Sequence, residues 1–175
     1  MKMMLSAGAL AFLLGAATAL AQPAQNPYSA MVKGGWDSLK RNLSASAAKM
    51  AEADFAFKPT PQVRSFGQIL GHLANEHYAI CAAVKGEKSP AATDFEKVTA
   101  KAELVAAFDK SIAYCDDAYK SMTDAAGTQM VEVFGEKMMK LAALQVNLTH
   151  GSEHYGNLVT YMRLKGMVPP SSTSQ

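Results

Sequence analysis

The feature that most restricts this chain is a run near its C-terminus. Leu141, Leu144, Leu148, Gly151, Tyr155, Leu158 and Met162 recur at alternating steps of three and four. That is the period of a helix with one apolar stripe. Three further segments carry the same period. The first opens at Asn26-Pro27, a cap followed by proline at the first helical position, and continues past Trp36, Leu39 and Leu43 to about Met50. Gly34-Gly35 weakens it without ending it and admits a close neighbour. Ser65 caps the second, which runs from Phe66 to about Lys85 and stops at Gly86. Thr99 caps the third, which reaches about Met122; the fourth spans roughly Glu136 to Lys165, with Gly166 as its stop. Alternating β-branched strands are absent from this reading. The expected fold class is all-α, most simply a four-helix bundle.

The N-terminus reads as an address. Met1 and Lys2 give a short basic start, Leu5 to Leu20 an apolar run, and Ala19-Leu20-Ala21 a small-x-small cleavage pattern. Residues 1–21 are therefore expected to be a secretory signal peptide. Residues 22–175 are then the exported domain, periplasmic or secreted, with a loose tail from about Pro169. The apolar run is short for a membrane span and polar chain follows it at once, so stable membrane insertion is not expected. A formal net charge of +2 without any basic run makes nucleic acid a poor partner. A small-molecule substrate or ligand remains, and a homodimer is an assembly such a bundle could form.

The chain has four histidines. His150 and His154 stand one turn apart, on a shoulder of the fourth stripe shared with Ala143, Asn147 and Tyr161. Side chains so spaced project from one helix face. His72 takes a comparable shoulder on the second helix, beside a stripe of Phe66, Ile69, Leu73, Ile80 and Val84. Two imidazoles from one helix and one from a facing helix can hold a divalent ion with a coordination position left open. Imidazole ligands favour Zn²⁺ or Ni²⁺. His77 falls inside the apolar stripe and reads as a packed, hydrogen-bonded core histidine. Glu76, one turn beyond His72, could reach the metal or steady an imidazole. Asp116-Asp117 reads as solvated surface. No phosphate loop, Rossmann fingerprint or Ser-His-Asp spacing is visible.

Three stretches then carry a resemblance: Phe57-Lys58-Pro59-Thr60-Pro61, Ser65-Phe66-Gly67-Gln68-Ile69-Leu70-Gly71-His72-Leu73, and His150-Gly151-Ser152-Glu153-His154-Tyr155-Gly156-Asn157. Together they resemble the DinB superfamily of damage-inducible and related proteins. The resemblance implies an up-down-down-up bundle with a long crossover between helices 2 and 3. It also implies a divalent metal on His72, His150 and His154. Many relatives carry Arg-Gly-Gln after the last histidine where this chain has Tyr155-Gly156-Asn157. Asn157 stands with Glu76 as a candidate for supporting a ligand, although this departure takes it away from the family pattern. The family includes transferases acting with small thiols.

Cys81 and Cys115 lie on or beside inward stripes, each about 16 residues into its helix. They can form a disulfide if helices 2 and 3 run the same way; otherwise they are two buried thiols. Two functions follow from these residues. One is a metal-dependent hydrolase or group transferase, with no evident catalytic acid or base beyond Glu76 and an outward Glu153. The other is a non-catalytic, stress-related module that binds metal or a small ligand.

Overall fold

The computed structural model describes residues 25–173. The expected signal peptide lies outside them. The helices are α1 (Pro27–Lys49), α2 (Phe66–Lys85), α3 (Lys101–Ser121), the single turn α4 (Asp124–Gly127) and α5 (Lys140–Leu164). Strands β1 (Met130–Val133) and β2 (Glu136–Met139) form an antiparallel hairpin. The described chain is thus mostly helical, and none of its helices is long and apolar enough to cross a membrane.

Local signals explain most boundaries. Ser65 Oγ accepts the backbone N–H of Gln68, and Gln68 Oε1 accepts that of Ser65, closing a capping box. Gly86, at φ 73°, ends α2 in the left-handed conformation that a side chain would resist. Asn26 does stand at the cap of α1, but the side chain that receives the first N–H groups is Asp124, at 2.8 Å from Ser29 N. Thr99 is not the cap of α3. Ala100 holds that position and no side chain caps the helix. Lys101 instead reaches across and donates twice, to Met50 O at 2.6 Å and Ala48 O at 3.2 Å. A cation is well placed at these terminal carbonyls of α1.

The hairpin corrects the sequence reading at two points: strands are present, and the last helix begins at Lys140 rather than near Glu136. Glu136, Lys137 and Met138 are good helix formers. Pairing overrides them: Val131 faces Met138 and Val133 faces Glu136 across the turn Phe134-Gly135, both of whose residues have positive φ. The tail also differs from expectation. Pro169 is buried, Pro170–Ser172 form a 3₁₀ turn, and Ser171 N donates to Tyr155 Oη at 3.0 Å.

Trp36, Phe66, Phe108 and Tyr119 anchor the core. Trp36 stacks on Tyr119 at 4.8 Å and donates Nε1–H to Asp116 at 2.6 Å. Asp116 is therefore a structural acceptor, shared with Lys40, rather than mere solvated surface. Gly35 faces Leu148 and Gly151 faces Leu39, each so closely that a Cβ would lie under 3 Å from the leucine, which brings α1 and α5 together. Between α2 and α3 the contacts pair Gly67 with Leu104, His77 with Ser111 and Cys81 with Cys115, so that numbers ascend together along both helices. The cysteines form a disulfide with Cα atoms 5.3 Å apart. Between α2 and α5 the numbers run oppositely: Arg64 meets Tyr161, and His72 meets His150.

Candidate metal centre

The shoulder positions of α2 and α5 do face one another. His72 Nε2 lies 3.2 Å from His150 Nε2, and His154 Nε2 lies 3.0 Å from the same atom. All three ligand atoms fall within 4.8 Å of one another. A tetrahedral ion with nitrogens at 2.0–2.1 Å holds them about 3.3 Å apart, and adjacent octahedral positions about 2.9 Å. The two spacings to His150 fit either arrangement. Burial, reinforced by the neighbouring His150 and His72, pushes His154 down to about 4; burial and His72 lower His150 as well. These two imidazoles are therefore neutral near pH 7, with lone pairs to offer. The three histidines could hold a metal ion.

His72 is oriented by a group the sequence did not reveal. Its Nδ1 donates to Glu96 Oε1 at 3.0 Å, which leaves Nε2 as the lone-pair nitrogen facing the cluster. Glu96 sits in a 3₁₀ turn (Phe95–Lys97) of the crossover between α2 and α3. Three contacts pin that turn onto α2. Asn75 Nδ2 donates to Asp94 at 2.8 Å, and Asn75 Oδ1 accepts Phe95 N–H at 3.1 Å. Gly71 provides the close approach: a Cβ there would collide with the Phe95 carbonyl. From the other side Arg64 donates Nε to Glu96 Oε2 at 2.9 Å and Nη2 to Oε1 at 3.3 Å. Glu96 thus replaces Glu76 as the carboxylate on His72. Glu76 is half-buried, and burial raises its carboxyl above the ordinary value.

Asn157 lies on the exposed side of α5 with its amide 3.4 Å from His154 Nδ1. His150 Nδ1 is buried without a protein partner. His77 stays apart from the cluster. It is fully buried between Trp36 and Phe108, and its Nδ1 lies 3.0 Å from Ser111 Oγ. Since Ser111 gives its own proton to Phe108 O, His77 Nδ1 is the donor in that pair. Burial depresses His77 to about 3. The core reading of this residue agrees with its surroundings. A cleft of about 600 Å³ opens beside the cluster, with His154, Glu96 and Asn157 in its wall.

A family model describing the DinB superfamily matches residues 36–158. The chain belongs to the DinB superfamily. Solved structures agree at the level of fold. A DinB-like protein of Bacillus cereus ATCC 10987 superposes with TM-score 0.69 at 16% identity, over 79% of this chain and 93% of that one. A DinB-like protein of Bacillus subtilis gives 0.65 at 19%, over 83% and 99%. A histidine-to-alanine mutant of a mycothiol-dependent maleylpyruvate isomerase gives 0.58 at 15%, over 75% of this chain and 59% of that one. No curated protein matches. In this DinB-superfamily chain the histidines named from their spacing are the three that come together, whereas Glu96 and Arg64 lay beyond sequence reasoning. Glu96 is 24 residues from His72 in a loop without periodicity, so no local pattern marks it.

Proposed function

We propose that this is an exported DinB-superfamily metalloprotein in which His72, His150 and His154 hold Zn²⁺ or Ni²⁺ for hydrolysis or group transfer on a small molecule. The observation that carries the reading is the convergence of three Nε2 atoms, with His154 in the wall of an open cleft and His72 locked by Glu96. A bound divalent cation supplies Lewis acidity, which brings water or a thiol toward deprotonation near neutral pH. The chain's own residues do the rest. Glu96 keeps the His72 proton at Nδ1, Arg64 balances the Glu96 charge, and Tyr161 Oη donates to Arg64 O at 2.9 Å, steadying the segment that carries Arg64.

The cluster comprises three histidines among the described residues, and the cleft reaches it at His154. That favours a working site over a sealed structural one, which would have four protein ligands. The ascending α2–α3 contacts and opposed α2–α5 contacts support an up-down-down-up bundle. The disulfide is compatible with an oxidising compartment and with maturation near Gln22. The name of the distant isomerase points to a small thiol as one candidate reactant. Export favours water instead.

Metal analysis of purified protein tests the reading. Wild type should carry about one divalent ion per chain, and His150→Ala and His154→Ala should each abolish tight binding. Full occupancy in the His154 variant would overturn the assignment.

A further inference from the structure

The cleft beside the histidines has a charge pattern of its own. Its cations are Lys58 and Arg64, and its one acid is Glu96. Both oxygens of Glu96 are already engaged, Oε2 by Arg64 and Oε1 by Arg64 and His72. The acid is therefore spent inside the protein. Arg64 is not. A guanidinium has five N–H donors, and Glu96 takes only Nε and one Nη2 hydrogen. The Nη1 pair and the outer Nη2 hydrogen remain, and they form the planar fork that fits a second carboxylate. Lys58 donates to Pro61 O at 3.2 Å and keeps two further N–H groups. Gln68 uses its Oε1 on the Ser65 amide, which leaves its NH₂ as the end free to serve the cleft.

Imidazole ligands carry no negative charge, so three of them would leave the whole 2+ charge of a bound ion uncancelled. A cleft of about 600 Å³ has the size of a small-molecule site, and walls of one sign concentrate the opposite charge. The geometry points to a small anion bearing a carboxylate or a phosphate as the occupant, its acidic group held by Lys58 and Arg64 while its other end faces His154, the member of the cluster that lines the cleft. This inference rests on the metal reading above and adds the substrate class. The fork of Arg64 holds carboxylate and phosphate alike, and titration with each distinguishes the two. Lys58 and Arg64 are accordingly binding residues, and neither is assigned a part in bond making.

The experiment titrates the zinc-loaded full chain with succinate, acetate and inorganic phosphate by calorimetry, after zinc content has been measured. Succinate, which can span the cleft, should bind saturably and more tightly than acetate. Lys58→Ala and Arg64→Lys should each weaken succinate about tenfold, the scale of one lost charge-assisted hydrogen bond. Zinc content should be unchanged in Lys58→Ala, and Arg64→Lys is titrated only on protein verified to be zinc-loaded. Lys137→Ala, on the exposed hairpin strand β2, should match wild type. Zinc-loaded protein that is indifferent to both succinate and phosphate, or whose affinity for them survives both substitutions, would overturn this inference alone. Phosphate binding more tightly than succinate through the same two residues would support the anion site and assign it to phosphate. Protein that takes up no zinc would overturn the metal reading and this one with it.

Discussion

Gly71→Ala would separate packing from metal binding at one position. Gly71 precedes His72 on α2, and a methyl there would collide with Phe95 O while lying 2.6 Å from Phe95 C and 2.7 Å from Glu96 N. These are backbone atoms, so no side-chain rotation relieves the clash. The turn must retreat by about 1 Å to reach an ordinary carbon–oxygen contact. Overpacking of this kind costs about 1–3 kcal/mol, and alanine's better helix propensity returns up to about 1 kcal/mol. Net destabilisation should therefore be modest, about 0–2 kcal/mol. The larger effect falls on the site, because the displaced turn carries Glu96 away from His72 Nδ1. Losing the partner of a metal-bound imidazole typically costs about 10–100-fold in affinity, about 1.4–2.7 kcal/mol. Competition with a chromophoric chelator measures it. Gly34→Ala is the control: it is exposed, nothing lies within 4 Å of its added Cβ, and it should bind zinc as wild type does. A Gly71→Ala protein within about threefold of wild-type affinity would show that the turn does not hold Glu96 in place for His72.

Three further outcomes are expected. The Cys81–Cys115 bridge, spanning a sequence separation of 34, should contribute roughly 3–4 kcal/mol in the chain-entropy model; urea unfolding of the double Cys→Ala variant measures it, and two titratable thiols in denatured, non-reduced protein from an oxidising compartment would remove the bridge altogether. His77, held at about 3 when folded against 6.5 when unfolded, refuses a proton that the unfolded chain accepts. Its contribution is thus present above pH 6.5 and lost as pH falls toward 3, by about 2 kcal/mol between pH 7 and 5; in metal-free protein, His77→Phe should show a shallower acid loss by that amount, and an unchanged slope would contradict the buried neutral histidine. Protein recovered from an exporting host should begin at Gln22 by mass spectrometry, whereas a soluble cytoplasmic chain retaining Met1 with reduced cysteines would reverse the compartment.

What the sequence made legible was local. Ser65, Gln68 and Gly86 bound α2 through contacts within a turn, and the stripe from Leu141 to Met162 follows from helix period alone. The histidine shoulders were legible for the same reason, since angular position on a helix is fixed by spacing. Failures fell where distant partners decide. Glu136 to Met139 has helix-forming residues but pairs with Met130 to Val133. Asp124 caps α1 from 95 residues away, and no rule about Asn26 could announce it.

Glu96 belongs to this second kind, yet its place follows from the fold once the helix contacts are known. Cys81 meets Cys115 while Gly67 meets Leu104, so the chain leaving α2 at Gly86 must return along α2 before α3 can begin beside Gly67. A helix of 20 residues is about 30 Å long, which the 15 intervening residues reach with slack at about 3.3 Å each, but the nine from Gly86 to Asp94 must already cover the roughly 20 Å back to Gly71. Such a return has to pass the middle of α2, where His72 sits, and it can lie close only where α2 offers a residue without a side chain. Gly71 is that residue, and Asn75 fastens Asp94 and Phe95 on either side of the approach. The next position along the strap is Glu96. The same helix arrangement that lets the cysteines bond therefore brings a carboxylate onto the histidine facing the two from α5. Shortening the crossover ahead of Asp94 by about three residues should consequently reduce metal affinity before it unfolds the helices, and retained affinity in a shortened, folded chain would break the link between topology and site.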